Sequence, residues 1–156
     1  MDPVKSIFIP KDSGIPTVKD SVVQKAVKSI IEPIFEVDFQ PFSYVYRPDR
    51  SAKDASEAIR KYLNYRYTNV VDIDIKGFLD HINHDKMIFI LMKRITDPYI
   101  IKLIMEWMRA ATVFEGKTTY PVEGTPQGGV ISPLLANIYL NELDTLRTRK
   151  GMDNPY

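Results

Sequence analysis

Apolar side chains recur every three or four residues in five segments of this chain, the spacing that places them on one face of a helix. The first segment follows Asp20 and should end at Pro33, because proline removes a helical N–H donor and clashes with the preceding turn. Ser51 and Asp54 form a weak capping box at the start of the second segment. The predicted helices cover, in order, residues 20–33, 51–64, 85–95, 97–108 and 133–147.

Two other segments have the pattern of extended chain. Residues 70–75 alternate, so that their apolar side chains would share one face of a strand and Asp72 and Asp74 the other. Residues 113–120 predict a hairpin that turns at residues 115–116. Strands mixed with helices favour an α+β domain.

Composition changes this picture only at a few points. A chain of 156 residues with a formal net charge of +1 suits one domain, and that charge gives no argument for a nucleic-acid partner. The absence of cysteine excludes disulfides and thiolate metal sites, and it fits a cytoplasmic location. The longest apolar run, residues 87–92, is too short to span a bilayer, so we expect no membrane partner.

The most distinctive chemistry lies in residues 124–140, Gly-Thr-Pro-Gln-Gly-Gly-Val-Ile-Ser-Pro-Leu-Leu-Ala-Asn-Ile-Tyr-Leu, where a glycine-rich loop opens into an apolar helix. Ser132 should cap that helix and Pro133 should occupy its first turn. Glycines ahead of a helix let the backbone approach a ligand and aim N–H groups at it. Gln127 adds a side-chain amide that both donates and accepts. Each residue alone could serve only a tight turn, whereas the whole run favours a binding loop.

This run resembles the palm motif of reverse transcriptases, most closely those of the group II intron-encoded type. Residues 70–85, Val-Val-Asp-Ile-Asp-Ile-Lys-Gly-Phe-Leu-Asp-His-Ile-Asn-His-Asp, resemble the family's other palm motif, and residues 14–20 and 43–51 resemble its fingers blocks. Four blocks in the family's order are far more specific than one. The resemblance implies an α+β fold, the fingers and partial palm of a right-hand polymerase, with helices packed on a small, mainly antiparallel sheet.

The resemblance also implies a division of the chain. Residues 1–156 would form a single fingers–palm unit, fingers-like over about 1–69 and palm-like, with some fingers helices, over 70–156. The thumb and the later palm strands are expected to be absent.

The catalytic site implied by the resemblance centres on Asp74. Nucleotidyl transfer uses two divalent ions about 3.5–4 Å apart, and Mg²⁺ prefers carboxylate oxygens. Asp74 would be the catalytic metal ligand, and the backbone carbonyl of Ile75 would help to hold the second ion. The N–H groups of Gly77 and Phe78 would face the triphosphate. Asp72 lies on the same strand face but is not the family's ligand, so a structural role is expected for it.

The implied nucleotide-binding residues also include Leu79, Gln127 and Gly128. The family usually has an aromatic residue at the position of Leu79, where it stacks under the sugar and excludes a 2′-hydroxyl, so leucine should loosen sugar selectivity. The fingers depart as well, because a Gly-Lys-x-Arg-Pro-Leu stretch is missing ahead of Gly14 and Ser21 replaces a second common arginine. Arginine forks match phosphate oxygens, so their loss should weaken nucleotide binding.

The second half of the metal site should come from a Tyr-x-Asp-Asp hairpin after the last helix. No two aspartates are adjacent in this sequence. One carboxylate cannot clamp two Mg²⁺ ions, so the full metal site should not form in this chain. We therefore expect this polypeptide alone to be inactive.

The partners implied by the resemblance are an RNA template, in particular intron RNA, a DNA primer and deoxynucleoside triphosphates. Tyrosines interleave with lysines and arginines over residues 44–67, a pattern suited to single-stranded RNA. Arg47 and Arg50, which lie in a fingers block, are the candidate RNA-binding residues; a solvated helix face is the alternative. The oligomeric state stays open.

Other interpretations remain. The chain could be a non-catalytic module that binds RNA or another protein, which the missing aspartate pair supports. It could more remotely be a phosphatase with Asp72 as nucleophile and Asp74 as acid–base, although such enzymes usually have a small or hydroxyl residue at the position of Lys76. His81 and His84 could form a metal pair, but hydrogen-bonded structural roles are favoured.

Overall fold

The computed structural model describes residues 7–9, 13–15, 17–110, 112–114, 117–125 and 128–149. Its helices are α1 (Val18–Glu36), α2 (Ala52–Asn64), α3 (His84–Met92), α4 (Pro98–Met108) and α5 (Ser132–Arg149). A short 3-10 turn covers Phe78–His81. The strands are β1 (Ile7–Ile9), β2 (Ser13–Ile15), β3 (Thr112–Phe114) and β4 (Lys117–Thr119).

The strands form two separate antiparallel hairpins within the described ranges. β1 pairs with β2, with Phe8 opposite Gly14. β3 pairs with β4, with Val113 opposite Thr118. The second ladder confirms the hairpin predicted over residues 113–120, whose turn at residues 115–116 lies outside the described residues.

Helices build the hydrophobic core. Side chains from α1, α3, α4 and α5 converge in one cluster, together with Ile82 and Ile131, which lie in the connections before α3 and α5. Burial of one such side chain contributes about 1.5–3 kcal/mol, so packing of helix on helix holds these elements together. The sheet that the sequence analysis places beneath the helices stays a prediction. Among the fully buried side chains are Ile31, Met87, Leu91, Ile104, Met108, Leu134, Leu135 and Ile138.

Pro33 does not end the first helix, and that prediction is wrong. α1 continues through Pro33 to Glu36. Its buried stripe consists of Gln24, Val27, Ile31 and Phe35, so stopping at Pro33 would remove Phe35 from the core. Burial of this aromatic side chain, which is 4% exposed, offsets the helical hydrogen bond that proline removes.

The other helix predictions hold with small shifts. The capping box of Ser51 and Asp54 is confirmed at the start of α2. Asp97 caps α4, where it accepts hydrogen bonds from the N–H groups of Tyr99 and Ile100. α3 ends at Met92, three residues before the predicted end at Ile95.

Residues 70–75 do not form the predicted strand. They have no regular secondary structure, and Val70, Val71 and Ile73 are 78%, 83% and 80% exposed. A strand is stabilised by a hydrogen-bonded neighbour, and no strand elsewhere in the described residues pairs with this segment. The alternating pattern is present in the sequence, but the described residues contain no neighbouring strand that pairs with it.

Within the described ranges, no helix is both long and apolar enough to cross a membrane.

Candidate functional site

A left-handed glycine shapes the turn that follows Asp74. Gly77 has φ +61°, a backbone conformation that favours glycine, and it precedes the 3-10 turn Phe78–His81. Its carbonyl accepts a hydrogen bond from the N–H of Asp80 at 3.0 Å. No described residue accepts a hydrogen bond from the backbone N–H of Gly77 or Phe78. The predicted roles of the Gly77 and Phe78 N–H groups toward a triphosphate stay predictions.

The glycine-rich loop docks directly on this turn. The N–H of Gly124 donates to the carbonyl of Ile82 at 2.7 Å, and the N–H of Thr125 donates to the carbonyl of Leu79 at 2.8 Å. Gly124 has φ +89°, and a Cβ there would lie only 2.7 Å from the backbone oxygen of Asp80. A side chain would separate the two segments, so glycine at this position allows the two palm-like motifs to meet.

Two buried polar side chains secure the same loop. Nε2 of His84, the first residue of α3, lies 2.7 Å from the carbonyl oxygen of Gly124. The carbonyl can only accept, so the imidazole N–H donates. The hydroxyls of Thr125 and Ser132 are 3.0 Å apart and buried, which ties the loop to the first residue of α5. The loop is thus held from three directions.

Gln127 lies outside the described residues, as does Pro126. Gly128, the next described residue, is exposed and has φ +87°. The predicted nucleotide-binding roles of Gln127 and Gly128 stay predictions. The described residues ahead of them, Gly124 and Thr125, are held at the Phe78–His81 turn by their hydrogen bonds to Ile82 and Leu79.

Asp74 and Ile75 lie in the unpaired segment ahead of this turn. Asp74 is exposed and Ile75 is 48% exposed. Asp72 is exposed as well. Within the described part of the chain, no group of three or more His, Asp or Glu side chains could hold a metal ion. Asp74 therefore provides an accessible carboxylate, and its role as a metal ligand stays a prediction.

The two histidines three residues apart have different partners. His81 is exposed, and its Nδ1 lies 3.0 Å from a carboxylate oxygen of Glu123. His84 is buried and donates to Gly124. Each ring makes its own hydrogen bond, which is the structural role that the sequence analysis favours over a shared metal.

Leu79 packs inward from the turn. Its side chain and that of Phe78 are partly buried against the core. The ring of Phe78 also packs on Tyr139 of α5, with the ring centroids 6.0 Å apart. The turn is thereby anchored by its side chains as well as by its backbone.

Arg47 is built into the fold. Its side chain is 5% exposed and forms an ion pair with Glu36, with Nη2 2.6 Å from Oε1. Nη1 donates to the carbonyls of Gln40 and Ser43, each at 2.7 Å. The guanidinium also lies over the ring of Phe39, 5.3 Å from its centroid. These contacts give Arg47 a structural role, since its donors are directed at protein acceptors.

Arg50 is exposed and differs from Arg47. It makes one long hydrogen bond, at 3.4 Å, to the carbonyl of Pro41 and lies over the ring of Tyr44, 5.7 Å from its centroid. The guanidinium of Arg50 and the ring of Tyr44 thus form a cation–aromatic pair next to α2.

The carboxyl at the start of α2 is also hydrogen-bonded. Ser51 donates from its hydroxyl and its backbone N–H to Asp54, and these bonds lower the pKa of the Asp54 carboxyl below its usual value.

Sequence reasoning missed the buried amides that join the elements. Asn137 of α5 donates to the carbonyl of Val45 at 2.7 Å and so holds the segment that carries Arg47. Gln24 of α1 accepts from the N–H of Ile131 at 3.4 Å. A polar residue within an apolar helical stripe is the sequence signal that could have identified these two residues, because a buried amide needs a hydrogen-bond partner.

Comparisons with known proteins point to one family. A family model described as "Reverse transcriptase (RNA-dependent DNA polymerase)" matches residues 10–151. Protein YkfC of Escherichia coli is 36% identical over 152 residues, which cover 91% of this chain and 40% of that protein. The group II intron-encoded protein LtrA of Lactococcus lactis is 39% identical over 150 residues, or 91% of this chain and 25% of LtrA.

More distant similarity extends to a mitochondrial protein and to a chain of solved structure. "Nuclear intron maturase 1, mitochondrial" of Arabidopsis thaliana is 25% identical in an aligned region that covers 89% of this chain and 27% of that protein. A solved chain of a partial Cas6-RT-Cas1–Cas2 complex has a TM-score of 0.58 and 22% identity, covering 94% of this chain and 26% of that one. At that identity the structural match supports the fold. The chain spans 40% or less of the length of each of these relatives.

Proposed function

This chain belongs to the reverse transcriptase family, and we propose that it is the fingers–palm portion of an RNA-directed DNA polymerase of the group II intron-encoded type. The protein that contains it would extend a DNA primer on an RNA template, in particular intron RNA, with deoxynucleoside triphosphates. We place the fingers-like part over about residues 1–69 and the palm-like part over 70–156. The identity to LtrA supports the intron-encoded type.

One observation carries this proposal. The hydrogen bonds from Gly124 to Ile82 and from Thr125 to Leu79 join the turn after Asp74 to the loop that leads to Gln127. In a polymerase these two segments must meet, because one brings the acidic group and the other lines the nucleotide. A pair of unrelated turns would have no reason to require a glycine at φ +89° in contact with the backbone of Asp80.

The donor set fits one half of a two-ion centre. Asp74 supplies an exposed carboxylate, and Ile75 supplies a backbone carbonyl; both are the hard oxygen ligands that Mg²⁺ prefers. When bound, the two ions would stabilise the attacking and leaving oxygens of nucleotidyl transfer. The N–H groups of Gly77 and Phe78 would donate to phosphate oxygens, and Gln127 and Gly128 would line the incoming nucleotide. The 156-residue sequence contains no adjacent pair of aspartates, so we propose that this polypeptide alone does not extend a primer.

Primer extension tests the catalytic proposal. The assay uses an oligo-dT primer on poly-rA, with Mg²⁺, and compares the full-length gene product with the 156-residue chain. We expect Asp74→Ala to abolish synthesis by the full-length product, whereas Asp72→Ala, a neighbouring exposed aspartate, should retain it. Equal loss in both variants would contradict the role of Asp74, and release of phosphate from a small ester that depends on Asp72 would favour the phosphatase.

A non-catalytic RNA-binding role is the second candidate. The pair formed by exposed Arg50 and partly buried Tyr44 favours it, because aromatic faces with cations suit unpaired bases. Arg47 contributes less to this proposal, since its guanidinium is buried in protein contacts. The test is salt-dependent binding of single-stranded RNA by the 156-residue chain. Arg50→Ala should weaken binding, whereas Lys102→Ala, which removes an exposed cation from α4, should not.

A further inference from the structure

We propose that His84 is a positioning residue for the incoming deoxynucleoside triphosphate, because its imidazole fixes the backbone from which the nucleotide-lining loop continues. This inference rests on the proposed polymerase function and adds to it a residue outside the implied contact set. Its basis is one peptide unit, the one that joins Gly124 to Thr125.

That peptide unit is held at both of its polar ends. Its carbonyl oxygen, on Gly124, accepts from Nε2 of His84 at 2.7 Å. Its N–H, on Thr125, donates to the carbonyl of Leu79 at 2.8 Å. A peptide is planar, so two opposed hydrogen bonds fix its rotation. The placement of Thr125, the residue from which the loop continues, follows from that rotation.

The two anchors come from different elements, which makes the restraint effective. Leu79 lies in the turn that follows Asp74, whereas His84 is the first residue of α3. α3 is held in the core by Met87 and Leu91, both fully buried. The imidazole therefore projects from a rigid support, and it is 4% exposed, so water does not replace it readily.

Glycine at position 124 explains why this restraint is needed. Its φ of +89° lies in a region that only glycine occupies readily, and glycine has many alternative conformations of similar energy. Without the hydrogen bond from His84, the Gly124 carbonyl would be a buried acceptor without its donor. The loop would then reorient, while the helices that form the core would keep their packing.

Amide exchange tests the restraint itself. We would measure hydrogen exchange at Gly124 and Thr125 by NMR in the 156-residue chain. His84→Ala should speed exchange at Thr125 by about tenfold, as expected for loss of a buried partner. His84→Gln, which also carries an N–H donor, should restore part of the protection. Ile104→Val, a core change in α4 that lowers overall stability, is the control and should not change exchange at Thr125 selectively.

Steady-state kinetics of the full-length gene product test the consequence for the nucleotide. His84→Ala should raise KM for the deoxynucleotide by about tenfold with kcat within about twofold, and His84→Gln should reverse most of the rise. Ile104→Val should leave KM unchanged.

Unchanged exchange at Thr125 in His84→Ala would overturn the proposal, and so would faster exchange with an unchanged KM. If the unmodified full-length product incorporates no nucleotide, the proposed function fails and the role toward the nucleotide fails with it, whereas the exchange data still decide whether His84 restrains the loop.

Discussion

Replacing Gly124 with alanine should destabilise the protein by about 2–6 kcal/mol. The backbone at φ +89° costs a residue with a Cβ about 1–3 kcal/mol. The added Cβ would also lie 2.7, 2.9 and 3.0 Å from O, C and Cα of Asp80. These are backbone atoms, and the hydrogen bonds from Gly124 to Ile82 and from Thr125 to Leu79 prevent them from moving apart easily. Overpacking of this kind adds about 1–3 kcal/mol.

A second glycine provides the matched control. Gly77 also has positive φ, at +61°, but the three atoms nearest to a Cβ there are side-chain atoms of His81 and Asp80, the closest at 3.4 Å. Gly77→Ala should therefore show the backbone cost alone, about 1–2 kcal/mol. The assay is urea unfolding of both variants, followed by circular dichroism. Equal losses of unfolding free energy in the two variants would refute the close approach of Gly124 to Asp80.

Three further predictions concern Arg47, Asp54 and Leu79. Arg47→Ala should lower the unfolding free energy by about 2–3 kcal/mol, because it leaves Glu36 unpaired, whereas Arg50→Ala should change it by less than about 0.5 kcal/mol. Urea unfolding compares the two variants, and equal losses would contradict the structural role of Arg47. The lowered pKa of Asp54 gives stability that is present above the ordinary pKa of 3.8 and is lost as pH falls through the folded-state pKa. Asp54→Asn should therefore flatten the acid side of a plot of unfolding free energy against pH, and an unchanged plot would argue against this contribution of Asp54. Leu79→Phe in the full-length product should raise discrimination against ribonucleotides by about tenfold in primer extension, and equal incorporation ratios would reject a role in sugar selection.

Local chemistry predicted the helices well. The capping box of Ser51 and Asp54 lies where the pattern indicated, because a cap depends only on residues within one turn. The family resemblance likewise depended on local blocks, and the match over residues 10–151 confirms it. Pro33 was the exception, since burial of Phe35 in the core overrode a local rule.

Long-range contacts decided the candidate site. The hydrogen bonds from Gly124 to Ile82 and from Thr125 to Leu79 join residues about forty-five positions apart in the sequence. No local pattern encodes such contacts. His84 showed the same limit, because its spacing from His81 allowed a metal pair until the fold gave each ring its own partner.

The sequence by itself determined the caps, the amphipathic faces and the order of motifs, because each of these depends on residues close together along the chain. Only the tertiary structure decided that Arg47 is buried against Glu36 and that residues 70–75 lie exposed without a ladder. The physical reason is common to both: burial of a charge and pairing of a strand depend on a neighbour distant in sequence, and the energy of that contact exists only once the chain has folded.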